Sequence, residues 1–154
     1  MSKVNKVKIL MVCLGNICRS PLAEGILSSK LDLQKYVVSS AGTANYHEGK
    51  SPDPRSVAVA KKYGIDISDQ KAAQFTRECF SNFDFIYVMD RENYKNVLKL
   101  STSVEERSKV KLILNEVVPN SDSEVPDPYY GGDQGFEKVF QLLDEACNTI
   151  ATRI

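Results

Sequence analysis

A thiol and a guanidinium separated by five residues, Cys13 and Arg19, are the side chains of this chain best suited to act on one chemical group. Sulfur is a nucleophile when ionised, and the planar fork of arginine matches two oxygens of a phosphoryl group. Between them lie Leu14, Gly15, Asn16, Ile17 and Cys18. Gly15 and Asn16 tolerate positive φ, so the link can curl and turn its amides inward as an anion-binding nest. Cys13 would then sit on the floor of the ring, where the same amides and Arg19 favour a thiolate over a thiol. The spacing alone is also compatible with two small buried cysteines and a surface charge. Its meaning depends on what flanks it.

Before the pair, Val7 and Ile9 to Val12 form a nearly continuous apolar run of branched side chains, which suits a strand buried on both faces. After Ser20-Pro21, residues Leu22, Ala23, Ile26, Leu27 and Leu31 recur at three- and four-residue spacing and predict a helix, with Ser20 as its cap and Pro21 as its first residue. The start of a helix offers unpaired amides and the positive end of its dipole, a setting for a phosphate-sized anion. Further strands are predicted at Tyr36–Ser40, Phe85–Met89 and Val110–Leu114. Asp53 and Pro54 open a helix with the stripe Val57, Ala60 and Tyr63, ended by Gly64. Thr76 is predicted to cap a short helix, with Phe75 packed on Phe80 as a staple. Asp90 caps a helix bearing Tyr94, Val97 and Leu98. Phe136, Val139, Phe140, Leu143, Cys147 and Ile150 mark a long final one.

Strands alternating with helices predict an α/β fold, a single domain over residues 1–154 with a central four-stranded parallel sheet covered on both faces. The expected order is doubly wound and flavodoxin-like, with a phosphate-binding loop between strand 1 and helix 1. Ligands of such sheets bind at the carboxyl ends of the strands. Loop 13–19, the segment after Ser40, Asp90 and the segment after Leu114 therefore converge. Residues 115–133 are rich in Pro, Gly and Asp and carry no predicted element, and such long structureless segments are either functional loops or disordered.

With 20 basic and 20 acidic residues and one histidine, the formal charge is zero and no nucleic-acid footprint is visible. Cysteines 13, 18, 79 and 147 lack the spacing of a zinc site, so neither a metal nor another cofactor is expected. Free thiols suit a reducing compartment. No apolar run approaches the ~18 residues of a membrane span. Lys3, Lys6 and Lys8 precede an apolar run of Ile9–Leu14, shorter than the roughly 7–15 residues of a secretory signal core. A cytoplasmic location is predicted.

CLGNICRSPLAE at 13–24, SAG at 40–42, MD at 89–90 and DPYYG at 127–131 together resemble the low-molecular-weight protein tyrosine phosphatases, in matching order over nearly the whole chain. The resemblance implies hydrolysis of phosphotyrosine in proteins, or of small aryl phosphates, through a phosphocysteine without a metal, and inhibition by phosphate-like oxyanions. On its own, V-P-D-P-Y-Y is either a solvated turn or an acid on a stiffened loop. The resemblance selects Asp127 as general acid, Tyr129 and Tyr130 as walls of the pocket, and Tyr46 as the opposite wall. Leu14, Gly15, Asn16, Ile17, Cys18 and Ser20 would hold the phosphate, with Ser20 also donating to the Cys13 sulfur. Asn16, Ser20 and Ser40 would tie the loop together, and Asp90 would either cap its helix or orient Arg19.

The family commonly has a histidine and a later arginine where this chain has Gln70 and Ala73. Gln70 would reach toward Asn16 or Ser40 instead. Cys18 is either a resolving thiol for an oxidised Cys13 or a small buried side chain. Three rival functions share the loop. A phosphoarginine phosphatase goes in this family with a threonine where the loop has Ile17. An arsenate reductase needs further relay cysteines, whereas Cys79 has no near partner and Cys147 lies on a buried stripe. A phosphate-binding module would lack turnover, although nucleophile, arginine and acid are all present.

Overall fold

The computed structural model describes residues 5–128 and 132–154. Its centre is strand β1 (Val7–Cys13), flanked by β2 (Tyr36–Gly42) and β3 (Phe85–Val88), with β4 (Val110–Leu112) at the edge. The strands are all parallel in the order β2-β1-β3-β4. Because the chain leaves β1 toward β2 and later returns on the other side as β3, the order reverses between β1 and β3. That reversal opens a crevice at their carboxyl ends. It is the doubly wound arrangement expected of the alternating pattern.

The run Ile9–Val12 is buried throughout because successive side chains serve different cores. Ile9, Met11 and Cys13 face α1 (Arg19–Lys30), α2 (Pro54–Lys62) and α6 (Gly132–Arg153), where they meet Leu22, Ile26, Val139 and Leu143. Leu10 and Val12 face α3 (Glu78–Asn82) and α4 (Arg91–Leu98), among Phe75, Phe80, Ile86 and Val97. A strand buried on both faces has no solvent side. Every residue from 9 to 12 is therefore apolar.

The stripe expected on the last helix is buried, from Phe136 through Ile150. Asp53 caps α2 by accepting from the Arg55 amide, and Asp90 caps α4 by accepting from the Asn93 amide. Phe75 meets Phe80 edge-on at 5.4 Å, the contact expected of the pair.

Several boundaries differ from expectation. Helix α1 starts at Arg19 after Cys18, with no side-chain cap, so Ser20 is an interior residue and Pro21 the third. The Ser20 hydroxyl has other partners. Thr76 does not cap α3, which starts at Glu78 after Arg77; its carbonyl takes the Cys79 amide instead. Strand β4 ends at Leu112, and Ile113 and Leu114 stay buried in a 3-10 turn, Ile113–Glu116. Tyr63 is 41% exposed, yet its ring stacks on Phe140 at 4.3 Å, while Val59 takes the interior position. A short helix, α5 (Val104–Ser108), was not foreseen.

Candidate active site

Residues 13–19 curl around a cavity of about 220 Å³ at the carboxyl ends of β1 and β3. Asn16 has φ +57°, the left-handed conformation that lets the loop turn on itself. Its side chain secures the turn twice. Oδ1 accepts from the Ala73 amide at 2.9 Å, and Nδ2 donates to Ser20 Oγ at 2.8 Å. Since Ser20 Oγ accepts that bond, its own proton is free to point at Cys13 Sγ, 3.0 Å away. The Asn16 amide donates to the same sulfur at 3.3 Å. Cys13 is 2% exposed, on the floor of the curl.

The loop carbonyls are drawn outward by neighbouring elements. Cys13 O and Leu14 O accept from the amides of Thr43 and Ala44 at 3.0 and 2.9 Å, just past β2. Ile17 O accepts from the Asp53 amide at 2.8 Å, and Cys18 O from Ser56 Oγ at 3.3 Å, at the start of α2. In a trans peptide the carbonyl and the following N–H point in opposite directions. Each carbonyl so held therefore leaves the next amide, of residues 14, 15, 18 and 19, pointing away from that partner. Gly42 permits the close approach, because a Cβ there would lie 2.7 Å from Leu14 O.

Arg19 is 2% exposed, and its Nη1 donates to Asp90 Oδ2 at 2.6 Å and to Val125 O at 3.0 Å. Burial works against its charge, but the neighbouring Cys13 and Asp90 outweigh it and hold the guanidinium protonated. Nη2 lies 3.7 Å from Asp127 Oδ2 at the rim, where the Asp127 side chain is 43% exposed. Asp90 thus performs both roles that its sequence position allowed, since Oδ1 caps α4 while Oδ2 holds Arg19.

Cys13, Leu14, Gly15, Ile17, Cys18, Arg19, Tyr46 and Asp127 line one cavity, with Asn16 and Ser20 bonded behind it. Tyr129 and Tyr130 lie outside the described residues. Cys18 is buried, and its thiol is pushed up to about 12 by burial and then by the charges of Asp53, Cys13 and Asp127.

Two expected supports bond elsewhere. The Ser40 hydroxyl donates to Glu24 Oε1 at 2.7 Å, because β2 presents it to α1 and not to the loop. Burial pushes the Glu24 carboxyl up, and the Ser40 bond only partly offsets this. Gln70 donates to Pro21 O at 3.1 Å, and neither Asn16 nor Ser40 is its partner. The contact to Asn16 comes from the main chain of Ala73. Sequence reasoning missed His47, which lines the cavity beside Tyr46 and packs close over Gly15. A lone histidine in a polar loop carries no pattern that would mark it. Ser56 was missed too, hidden in α2 without a motif.

Fold and loop together define an α/β protein with a curled loop around a cavity at the switch point of its sheet. Residues 8–154 match the model of the low molecular weight phosphotyrosine protein phosphatases, and the chain belongs to that family of protein-tyrosine phosphatases. It is 45% identical over 152 residues to a Synechocystis sp. protein bearing the family's name, covering 96% of each chain. To the low molecular weight phosphotyrosine protein phosphatase of Sus scrofa it is 36% identical over 151 residues, covering 95% of this chain and 94% of that one. A crystal structure of a protein tyrosine phosphatase from Entamoeba histolytica, with Hepes in its active site, superposes with a TM-score of 0.89 at 37% identity over 96% of both chains.

Proposed function

We propose that this enzyme hydrolyses phosphotyrosine in proteins, and small aryl phosphates, by double displacement at Cys13. The sulfur attacks phosphorus in line, and the bond to the phenolic oxygen breaks as the S–P bond forms. Arg19 and the amides of the loop hold the three equatorial oxygens, where most of the catalysis of phosphoryl transfer arises. Asp127 gives its proton to the departing phenolate and then takes one from the water that cleaves the phosphocysteine, releasing phosphate and restoring the thiolate. The Ser20 hydroxyl stabilises the sulfur as it leaves. Tyr46 and Ile17 supply the apolar wall that suits an aryl ring.

One observation carries this reading. The sulfur, with two hydrogen-bond donors aimed at it, shares a single cavity with the Arg19 guanidinium and the exposed Asp127 carboxylate. The test is hydrolysis of p-nitrophenyl phosphate in EDTA. Turnover should persist in the chelator, be blocked by vanadate and vanish in Cys13→Ser. Asp127→Ala should lose about 10²–10⁴ in rate on poor leaving groups. Turnover surviving in Cys13→Ser would remove the mechanism. A preference for phosphoarginine over phosphotyrosine peptides would remove the substrate assignment.

A further inference from the structure

We infer that Glu124 is a positioning residue for the general acid, which rests on the reading of Asp127 given above. Residues 124 and 125 are stapled to the end of β3 and the start of α4. The Val125 amide donates to Met89 O at 2.9 Å, and the Val125 carbonyl accepts from Arg19 at 3.0 Å. Those bonds are main-chain on the loop side, and most residues could supply them. Glu124 adds one that depends on its side chain. Its Oε2 accepts from the Arg91 amide at 2.9 Å and lies 3.5 Å from Arg91 Nε.

The Arg91 amide is the first of α4, so it has no acceptor within the helix. Asp90 occupies the Asn93 amide, leaving this one for Glu124. A carboxylate also lies favourably at the positive end of the helix. The Arg91 amide, then the Arg91 side chain, holds the Glu124 carboxyl below its usual range, so it accepts as an anion. The ion pair itself is exposed, at 69% for Arg91 and 39% for Glu124, and such pairs contribute little stability. Its consequence is geometric.

Asp127 follows three residues later, between Pro126 and Pro128. Proline fixes φ, so few soft torsions separate the staple from the acid. An angle set at Glu124 is transmitted to the Asp127 carboxylate over the rim. Without that bond the loop would keep its two main-chain anchors and its buried Val125, but Asp127 would sample positions from which it cannot reach the leaving oxygen.

The experiment compares kcat/KM for two esters, since this ratio reports the step in which the phenol departs. Nitrophenolate leaves without a proton, whereas phenolate needs one. Glu124→Ala should lower kcat/KM on phenyl phosphate by about five- to tenfold, a fraction of what an acid contributes, and change it on p-nitrophenyl phosphate by less than about twofold. Glu124→Gln, which keeps an acceptor for the Arg91 amide, should fall between Ala and wild type. Equal losses on both esters, no loss on either, or a Gln variant as impaired as Ala would overturn the inference. Asp127→Asn serves as the reference. If it fails to discriminate between the esters, the acid assignment itself is wrong; if it discriminates and Glu124→Ala does not, only the positioning role is lost.

Discussion

Asp90 shows how much a single side chain can carry. One oxygen satisfies a helix amide and the other holds a buried guanidinium, so replacing it removes two unrelated things at once. The two are separable. Asp90→Ser keeps a capping oxygen and Asp90→Ala does not, and neither can reach Arg19 as a charged partner. Both should lose roughly 10- to 100-fold in kcat/KM, as misplacement of a positioned group does. In denaturant titrations the serine variant should be the more stable by about 1 kcal/mol, the worth of a cap. Wild-type turnover in Asp90→Ser would mean that Arg19 is aimed without its bond to Asp90.

At the scale of elements, what the sequence revealed depended on whether the cause was local. Residues 13–19 are contiguous, and the strand before them and the helix after them have their own periodicity, so the curled loop between the two could be read directly. The partners of Ser40 and Gln70 could not. A hydroxyl on β2 meets whatever α1 brings beside it, which here is Glu24. Strand β4 was overextended because Ile113 and Leu114 are as buried in a turn as they would be in a strand. Helix α5 buries no residue and is held by its Ser103 cap, so no apolar stripe announced it.

Helix α2 matters at this scale because its first turn grips the outer side of the loop. Burial pushes the Asp53 carboxyl up, but bonds from the Arg55 side chain and amide outweigh it and leave it below the usual range. A carboxyl depressed in the folded state contributes stability above its unfolded value, and loses it as pH falls through the folded value. Asp53→Ala should therefore cost about 1 kcal/mol at neutral pH from the cap alone. In denaturant midpoints measured down a pH series, its gap from wild type should narrow on acidification below the ordinary carboxylate range.

Over the whole molecule, Glu24 has the opposite sign. Its carboxyl is raised in the fold, so its favourable contribution is fully present below its unfolded value and is lost as pH rises through the folded one. Glu24→Gln keeps an acceptor for Ser40 and removes the cost of ionisation. It should be more stable than wild type at pH 7.5 and indistinguishable from it in mild acid, as denaturant midpoints at the two values would show. Among the described residues no helix is long and apolar enough to cross a membrane.

The donors that hold the curl around Cys13 come from Thr43, Ala44, Asp53, Ser56 and Ala73, and Arg19 is gripped from Asp90 and Val125. Loop 13–19 precedes every one of these clamps in the chain, so it can be held in its curl only once residues out to 125 are present and folded. Recovery of turnover after dilution from denaturant should accordingly lag behind the return of helical circular dichroism and coincide with final compaction. A truncated N-terminal half should bind no vanadate.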